Sequence, residues 1–176
     1  MAATFVWDES NGAGQTITSG VNQVNWKNTD DVSTIYSTSP ITAGNNSYEK
    51  WQAGHFVGAF NQILNGKFGH TAGVLGAGLA LMCQPTMTAD GDRLTYATPS
   101  TTTNAALTRD ITAVDTIGNG AAVWFGGTSA NAAGKAASTT SNPAFTNYLT
   151  TQLQTTVAAL PGDTATLTLT IQFDEN

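Results

Sequence analysis

The run TATLTLTIQF, Thr164 to Phe173, decides the fold. Ala165, Leu167, Leu169, Ile171 and Phe173 alternate with Thr164, Thr166, Thr168, Thr170 and Gln172. A period of two puts successive side chains on opposite faces of an extended chain, so this is a strand with one face in a core and a threonine face in water. Upstream, Tyr148–Val157 carries Leu149, Leu153 and Val157, and Leu160-Pro161-Gly162-Asp163 supplies a turn. The spacing predicts an antiparallel hairpin of Tyr148–Val157 with Thr164–Phe173. With the shorter strands before it, the expected class is all-β: an antiparallel β-sandwich or a jelly-roll-like barrel with long small-residue loops.

From the N-terminus, Thr4 to Trp7 reads as a short strand that ends in the turn-forming Asp8-Glu9-Ser10-Asn11-Gly12-Ala13-Gly14. Extended structure resumes at Thr16–Thr18 and over Val21–Trp26, and again around Ile35 and Tyr36 before Pro40. The centre, Ile41 to Gly73, sets Trp51, Phe56, Phe60 and Phe68 among Gly44, Gly54, Gly58, Gly66 and Gly69. Large apolar side chains beside positions that allow close backbone approach make a packing design, so these four aromatics are expected in the core or at a subunit contact. Strands are predicted around Gly54–Phe60 and Ile63–Phe68, and a helical reading of Ser47–Gln52 is too short to stand alone. Val74 to Cys83 suits a strand buried on both faces or at an interface. Thr86 to Ala144 thins into small polar residues, read as long loops, 98–110 and 126–143, with strands at Ile111–Val114 and Ala121–Phe125 between them. No internal repeat of fixed period is present.

The chain of 176 residues fits one domain, 1–176. Its formal charge is −6, and charged residues make up 10% of it against the usual ~25%. Six basic residues scattered from Lys27 to Lys135 cannot form the patch that phosphate binding needs, so no nucleic-acid partner is expected. No run reaches the ~18 apolar residues of a membrane-spanning helix, and Met1–Gly14 lacks the pattern of a secretory signal. No membrane partner and no secretory route are expected. Cys83, the single cysteine, sits among Leu79, Leu81 and Met82 as a small buried hydrophobe.

No constellation for catalysis emerges. The bases for a hydrolase would be His55 and His70, but neither has a nucleophile motif near it. Asp8, Glu9, Asp30, Asp31, Glu49, Asp90 and Asp92 could pair as glycosidase carboxylates, yet most read as turn residues. Asp90-Gly91-Asp92 lacks the further oxygen ligands of a calcium loop, the histidines and Cys83 lack zinc spacing, and Gly66-Lys67 and Gly134-Lys135 lack the phosphate-loop pattern. The chain is read as a non-enzyme without cofactor or metal. Trp7, Trp26, Trp51 or Trp124, if exposed, could stack on sugars, although core or interface packing is the expected role of each.

Pro40-Ile41-Thr42-Ala43-Gly44-Asn45-Asn46-Ser47-Tyr48-Glu49-Lys50-Trp51, then Gly54-His55-Phe56, Phe60-Asn61-Gln62-Ile63 and Asn65-Gly66-Lys67-Phe68, resembles a pattern of small structural proteins of tailed bacteriophages. Val6-Trp7-Asp8-Glu9-Ser10 and the ending Gln152-Leu153-Gln154, Pro161-Gly162 and Phe173-Asp174-Glu175 are similar to the same group. The resemblance implies a virion component made in the host cytoplasm, foremost a head decoration or cement protein. Its partners would be the major capsid protein and further copies of itself, reached through the aromatic centre and the two long loops. A tail or neck part and a glycan-binding module are the alternatives.

Overall fold

The computed structural model describes residues 3–58, 63–84, 96–114, 122–125, 144–146, 148–160 and 166–175. Among them ten strands form two antiparallel sheets, stacked as a β-sandwich, with one helical turn at Ile111–Val114 and a 3-10 turn at Tyr36–Thr38. The larger sheet contains β1 (Thr4–Asn11), β2 (Thr16–Ser19), β3 (Lys50–Val57), β5 (Leu79–Cys83), β6 (Arg109–Asp110), β8 (Ala144–Phe145) and β9 (Leu149–Thr155). Its order is β2-β1-β3-β9-β5-β6, and β8 precedes β9 along the same edge of β3. The smaller sheet is β10 (Thr168–Glu175), β4 (Ile63–Ala72) and β7 (Ala122–Phe125), in that order. The all-β sandwich of the sequence reading is what forms.

The core lies where the two inner faces meet. Phe56, Leu81, Cys83 and Leu149 from the larger sheet and Phe68 from the smaller are buried together with Ile111, and Leu167, Leu169, Ile171 and Phe173 pack against them. Aromatic pairs join the layers. Trp7 stacks on Phe68 at a centroid distance of 6.2 Å, and Phe56 meets Phe173 edge-on at 4.9 Å. Gly54 makes room for this: a Cβ there would lie 2.1 Å from the Phe5 ring, which packs edge-on against Phe56. Thr146 fastens the other side of Gly54, taking its N–H on Oγ1 and donating its own N–H to the Gly54 carbonyl, both at 2.8 Å.

The alternation over Leu167–Phe173 holds, with the apolar side chains turned to the core. The predicted hairpin does not form. Both edges of β9 are taken, by β3 and β5, and its Leu149–Leu153 are buried throughout, so β10 crosses to the other sheet and pairs with β4. β1 also corrects the sequence: Asp8-Glu9-Ser10-Asn11 stays extended and buried, because each side chain finds a partner that outweighs its turn preference. Ser47–Gln52 runs into strand β3 with no helix, Val21–Trp26 is irregular, and Ile111–Val114 is a helical turn instead of a strand. Val74 is exposed, Leu75 packs against the core, and within the Val74–Cys83 run only Leu81 and Cys83 are fully buried.

Of the two long loops, 126–143 lies outside the described residues. Loop 98–110 is held to its own body: Ser100 O accepts from Glu49 N, Gln152 Nε2 donates to Ser100 O and Thr102 O, Leu107 is buried, and Arg109–Asp110 form β6.

Two substitutions test this packing. Phe56→Ala removes a ring wedged between the sheets and is expected to lower unfolding free energy by about 3–5 kcal/mol in chemical denaturation. Gly54→Ala drives the Phe5 ring off its seat and is expected to cost about 1–3 kcal/mol, with near-ultraviolet circular dichroism reporting the disturbed aromatics.

Candidate functional site

The polar half of β1 organises two side-chain clusters, one on each face of the larger sheet. Phe5 and Trp7 face the core, and the same period continues to Glu9 and Asn11. On β3 the matching positions run from Phe56 through Gly54 to Gln52 and Lys50. The inner face is therefore apolar at one end and polar at the other.

At that polar end Lys50 Nζ donates to Glu9 Oε1 at 2.7 Å, and both side chains are 1% exposed. Asn11 Nδ2 donates to the same Oε1 at 3.0 Å and to Asp30 Oδ1 at 2.8 Å. Gln52 Nε2 reaches Glu9 Oε2 at 3.4 Å, while Gln52 Oε1 is buried without a hydrogen-bond partner. The 21–40 segment covers the cluster. Asp30 Oδ2 accepts from Gly12 N at 2.7 Å, and Lys50 Nζ also donates to Asp31 O. Lys27, fully buried, donates to Asp31 Oδ1 at 3.1 Å and to Thr34 O. Trp26 Nε1 donates to Thr151 Oγ1 at 3.1 Å. Burying a charge is tolerated only when it is paired and hydrogen-bonded, and both lysines meet that condition.

Burial alone would raise the Asp31 carboxyl, but the N–H and hydroxyl of Thr34 and the Lys27 ammonium together outweigh it and hold the group below its ordinary value.

On the outer face His55 Nδ1 lies 2.7 Å from Asp8 Oδ2, while Asp8 Oδ1 has no hydrogen-bond partner. Ser10 Oγ shares a hydrogen bond with the Tyr148 hydroxyl, which also accepts from Gln15 Nε2 at 2.6 Å. Gln15 sits at φ 52°, a left-handed conformation uncommon for a side chain of its size, and this contact holds it in the β1–β2 turn. Trp51 meets Tyr96 and Tyr148 edge-on at 5.5 and 5.6 Å, and Tyr96 donates to Gly12 O at 2.6 Å. Burial pushes the Tyr96 phenol up to about 12, with Asp30, Tyr148 and Glu49 adding in the same direction. Glu49 is held by Asn104 Nδ2 at 2.7 Å and by Trp51 Nε1.

Trp51, Phe56 and Phe68, expected as packing residues, are all buried, but they separate. Phe56 and Phe68 join the two sheets, whereas Trp51 anchors the outer tyrosine cluster. Phe60 lies outside the described residues, as do Asp90 and Asp92. The tryptophan route to sugar stacking loses Trp51 to burial, and Trp7 and Trp26 pack against the core. His55 has a carboxylate partner in Asp8, Ser10 shares a hydrogen bond with Tyr148, and Cys83 is buried in the core. His70 Nδ1 is buried without a hydrogen-bond partner. Among the described residues no group of three or more His, Cys, Asp or Glu is arranged to hold a metal ion.

The Glu9–Lys50–Asn11 cluster was missed in the sequence because Asp8–Gly14 reads as a turn. The signal lay in the period: Phe5, Trp7, Glu9 and Asn11 share one face if the strand simply continues.

No protein-family model matches the chain, and neither a curated protein nor a solved structure matches it.

The shifts of Asp31 and Tyr96 each make stability depend on pH. Asp31 is lowered on folding, so its contribution is present above its ordinary value of 3.8 and lost as pH falls below it. Asp31→Asn is expected to flatten the acid limb of a stability–pH curve. Tyr96 is raised, so the unfolded chain ionises first and stability falls as pH climbs from 10 towards about 12. Tyr96→Phe is expected to remove that alkaline loss while giving up the bond to Gly12 O. Denaturation midpoints at pH 3, 7 and 11 check both.

Proposed function

We propose that the chain is a structural protein of a tailed-bacteriophage virion, a decoration or cement protein seated on the major capsid lattice and acting by contact. The observation that carries this reading is the bare outer edge of β2. Thr16, Ile17, Thr18 and Ser19 are all exposed, and among the described residues no strand pairs beyond them. Residues 10–26 contain no Asp, Glu, Lys or Arg. Sheet edges in free-standing proteins are blunted by shortness, charge, proline or bulges; β2 is short at four residues but carries no charge, proline or bulge, which suits an edge that is covered in an assembly. Ile35, Tyr36, Val74, Val157 and Leu160 add exposed apolar side chains. The resemblance at both ends and the centre supplies the particle, and the major capsid protein and further copies of the chain are the partners it implies.

The same edge would serve ring or tube formation, which keeps a tail or neck component as the nearest alternative. Glycan binding is favoured by a different feature. A depression of about 380 Å³ is lined by Asn28, Gly44, Asn45, Asn46, Thr101 and Thr103, uncharged groups suited to hydroxyls.

Quantitative mass spectrometry of purified particles tests the reading. A copy number equal to the shell protein's, or a simple fraction of it, is the expected result; a number far below it moves the chain to the tail or neck, and its absence overturns the virion reading. Ile17→Lys, which places charge on the open edge, is expected to weaken binding to pre-formed shells about tenfold without lowering the chain's own stability.

A further inference from the structure

The buried Lys50–Glu9–Asn11 cluster carries chemistry that packing alone does not require. Asn11 stands one position beyond the Ser10↔Trp51 pair of β1 and β3, which sets it across from Lys50 on the neighbouring strand. Both side-chain nitrogens lie on one oxygen: Lys50 Nζ at 2.7 Å and Asn11 Nδ2 at 3.0 Å from Glu9 Oε1. An amine, a carboxamide and a carboxylate able to move protons between them are thus held together, and all three residues are buried. We infer that these residues form an intramolecular isopeptide bond, Lys50 Nζ to Asn11 Cγ, with loss of the Asn11 side-chain nitrogen.

The steps balance without an oxidant or cofactor. A proton passes from Lys50 Nζ to Glu9 Oε1, and the neutral amine adds to Asn11 Cγ. The Cγ–Nδ2 bond then breaks. Both protons that Lys50 gives up travel through Glu9 to Nδ2, which departs as ammonium, and Glu9 ends ionised. Three features favour this outcome over the alternatives. Burial keeps out the water that would compete for Cγ, and fixed neighbouring strands supply the proximity that a bimolecular amide exchange lacks. Asp30 holds Asn11 Nδ2 with one oxygen and the Gly12 backbone N–H with the other, and so engages the nitrogen that would otherwise close on Asn11 Cγ as a cyclic imide. The product ties β1 to β3 at the polar end of the inner face, independently of whether the chain belongs to a particle.

Intact mass and peptide mapping of the purified full chain decide the matter. The expected result is a chain lighter than its sequence by one ammonia, yielding on proteolysis a branched peptide that joins Lys50 to Asn11. Glu9→Gln, which keeps a hydrogen-bonding side chain but cannot shuttle the proton, is expected to retain the full mass and give linear peptides, as is Asn11→Ala. A wild-type chain of full mass with Lys50 and Asn11 in separate linear peptides overturns the inference, and this reading depends on no variant folding. Ammonia loss confined to Asn11-Gly12 with Lys50 unmodified overturns it equally. Complete cross-linking in Glu9→Gln would overturn the role given to Glu9.

Discussion

The Lys50–Glu9 contact is the constraint on which the larger sheet depends. Neither group reaches water, so each must be satisfied from within, and satisfying them fixes much else. β1 and β3 must keep their register, Asn11 and Gln52 must turn inward, and the 21–40 segment must lie over the cluster so that Asp30 and the Asp31 carbonyl are in reach. A sheet slipped by one residue would send Glu9 to the opposite face and strand Lys50. Polar burial of this kind contributes specificity of register, and the aromatic half of the same face contributes hydrophobic burial between the sheets.

That aromatic half is a problem of fitting rings between two layers. Phe5, Trp7 and Phe56 come from adjacent strands of one sheet, Phe68 and Phe173 from the other, and their edge-on and stacked contacts leave no room for a side chain at residue 54. Glycine is therefore a packing partner of Phe5 at that position. The opposite face of the larger sheet is built differently. There Trp51, Tyr96 and Tyr148 surround a few hydrogen bonds, and the β1–β2 turn, with Gln15 in its left-handed conformation, is latched onto the tyrosine hydroxyls. The two clusters explain why a chain with so few charged residues nevertheless buries several of them. Lys27, Lys50, Glu9 and Glu49 work as internal fasteners, which leaves the surface to threonine, serine, asparagine and glycine.

The sequence by itself determined the all-β character of the chain and, where alternation is strict, which face of a strand is apolar. Period-two alternation is a local property, legible in Leu167–Phe173 and in the way Phe56 is set off from His55 and Val57. It also placed Cys83 among buried hydrophobes, and the structure buries Trp51, Phe56 and Phe68 as well. Pairing was decided only in three dimensions. Tyr148–Val157 and Thr164–Phe173 look like a hairpin because a turn separates them, but strand partners are chosen by which edges are free, and β3 and β5 occupy both edges of β9. The polar cluster was beyond local reading for the same reason. Asp8-Glu9-Ser10-Asn11 prefers a turn when only its neighbours are considered, and it stays extended because Lys50, Gln52, Asp30, His55 and Tyr148, distant in sequence, give each of its side chains a partner.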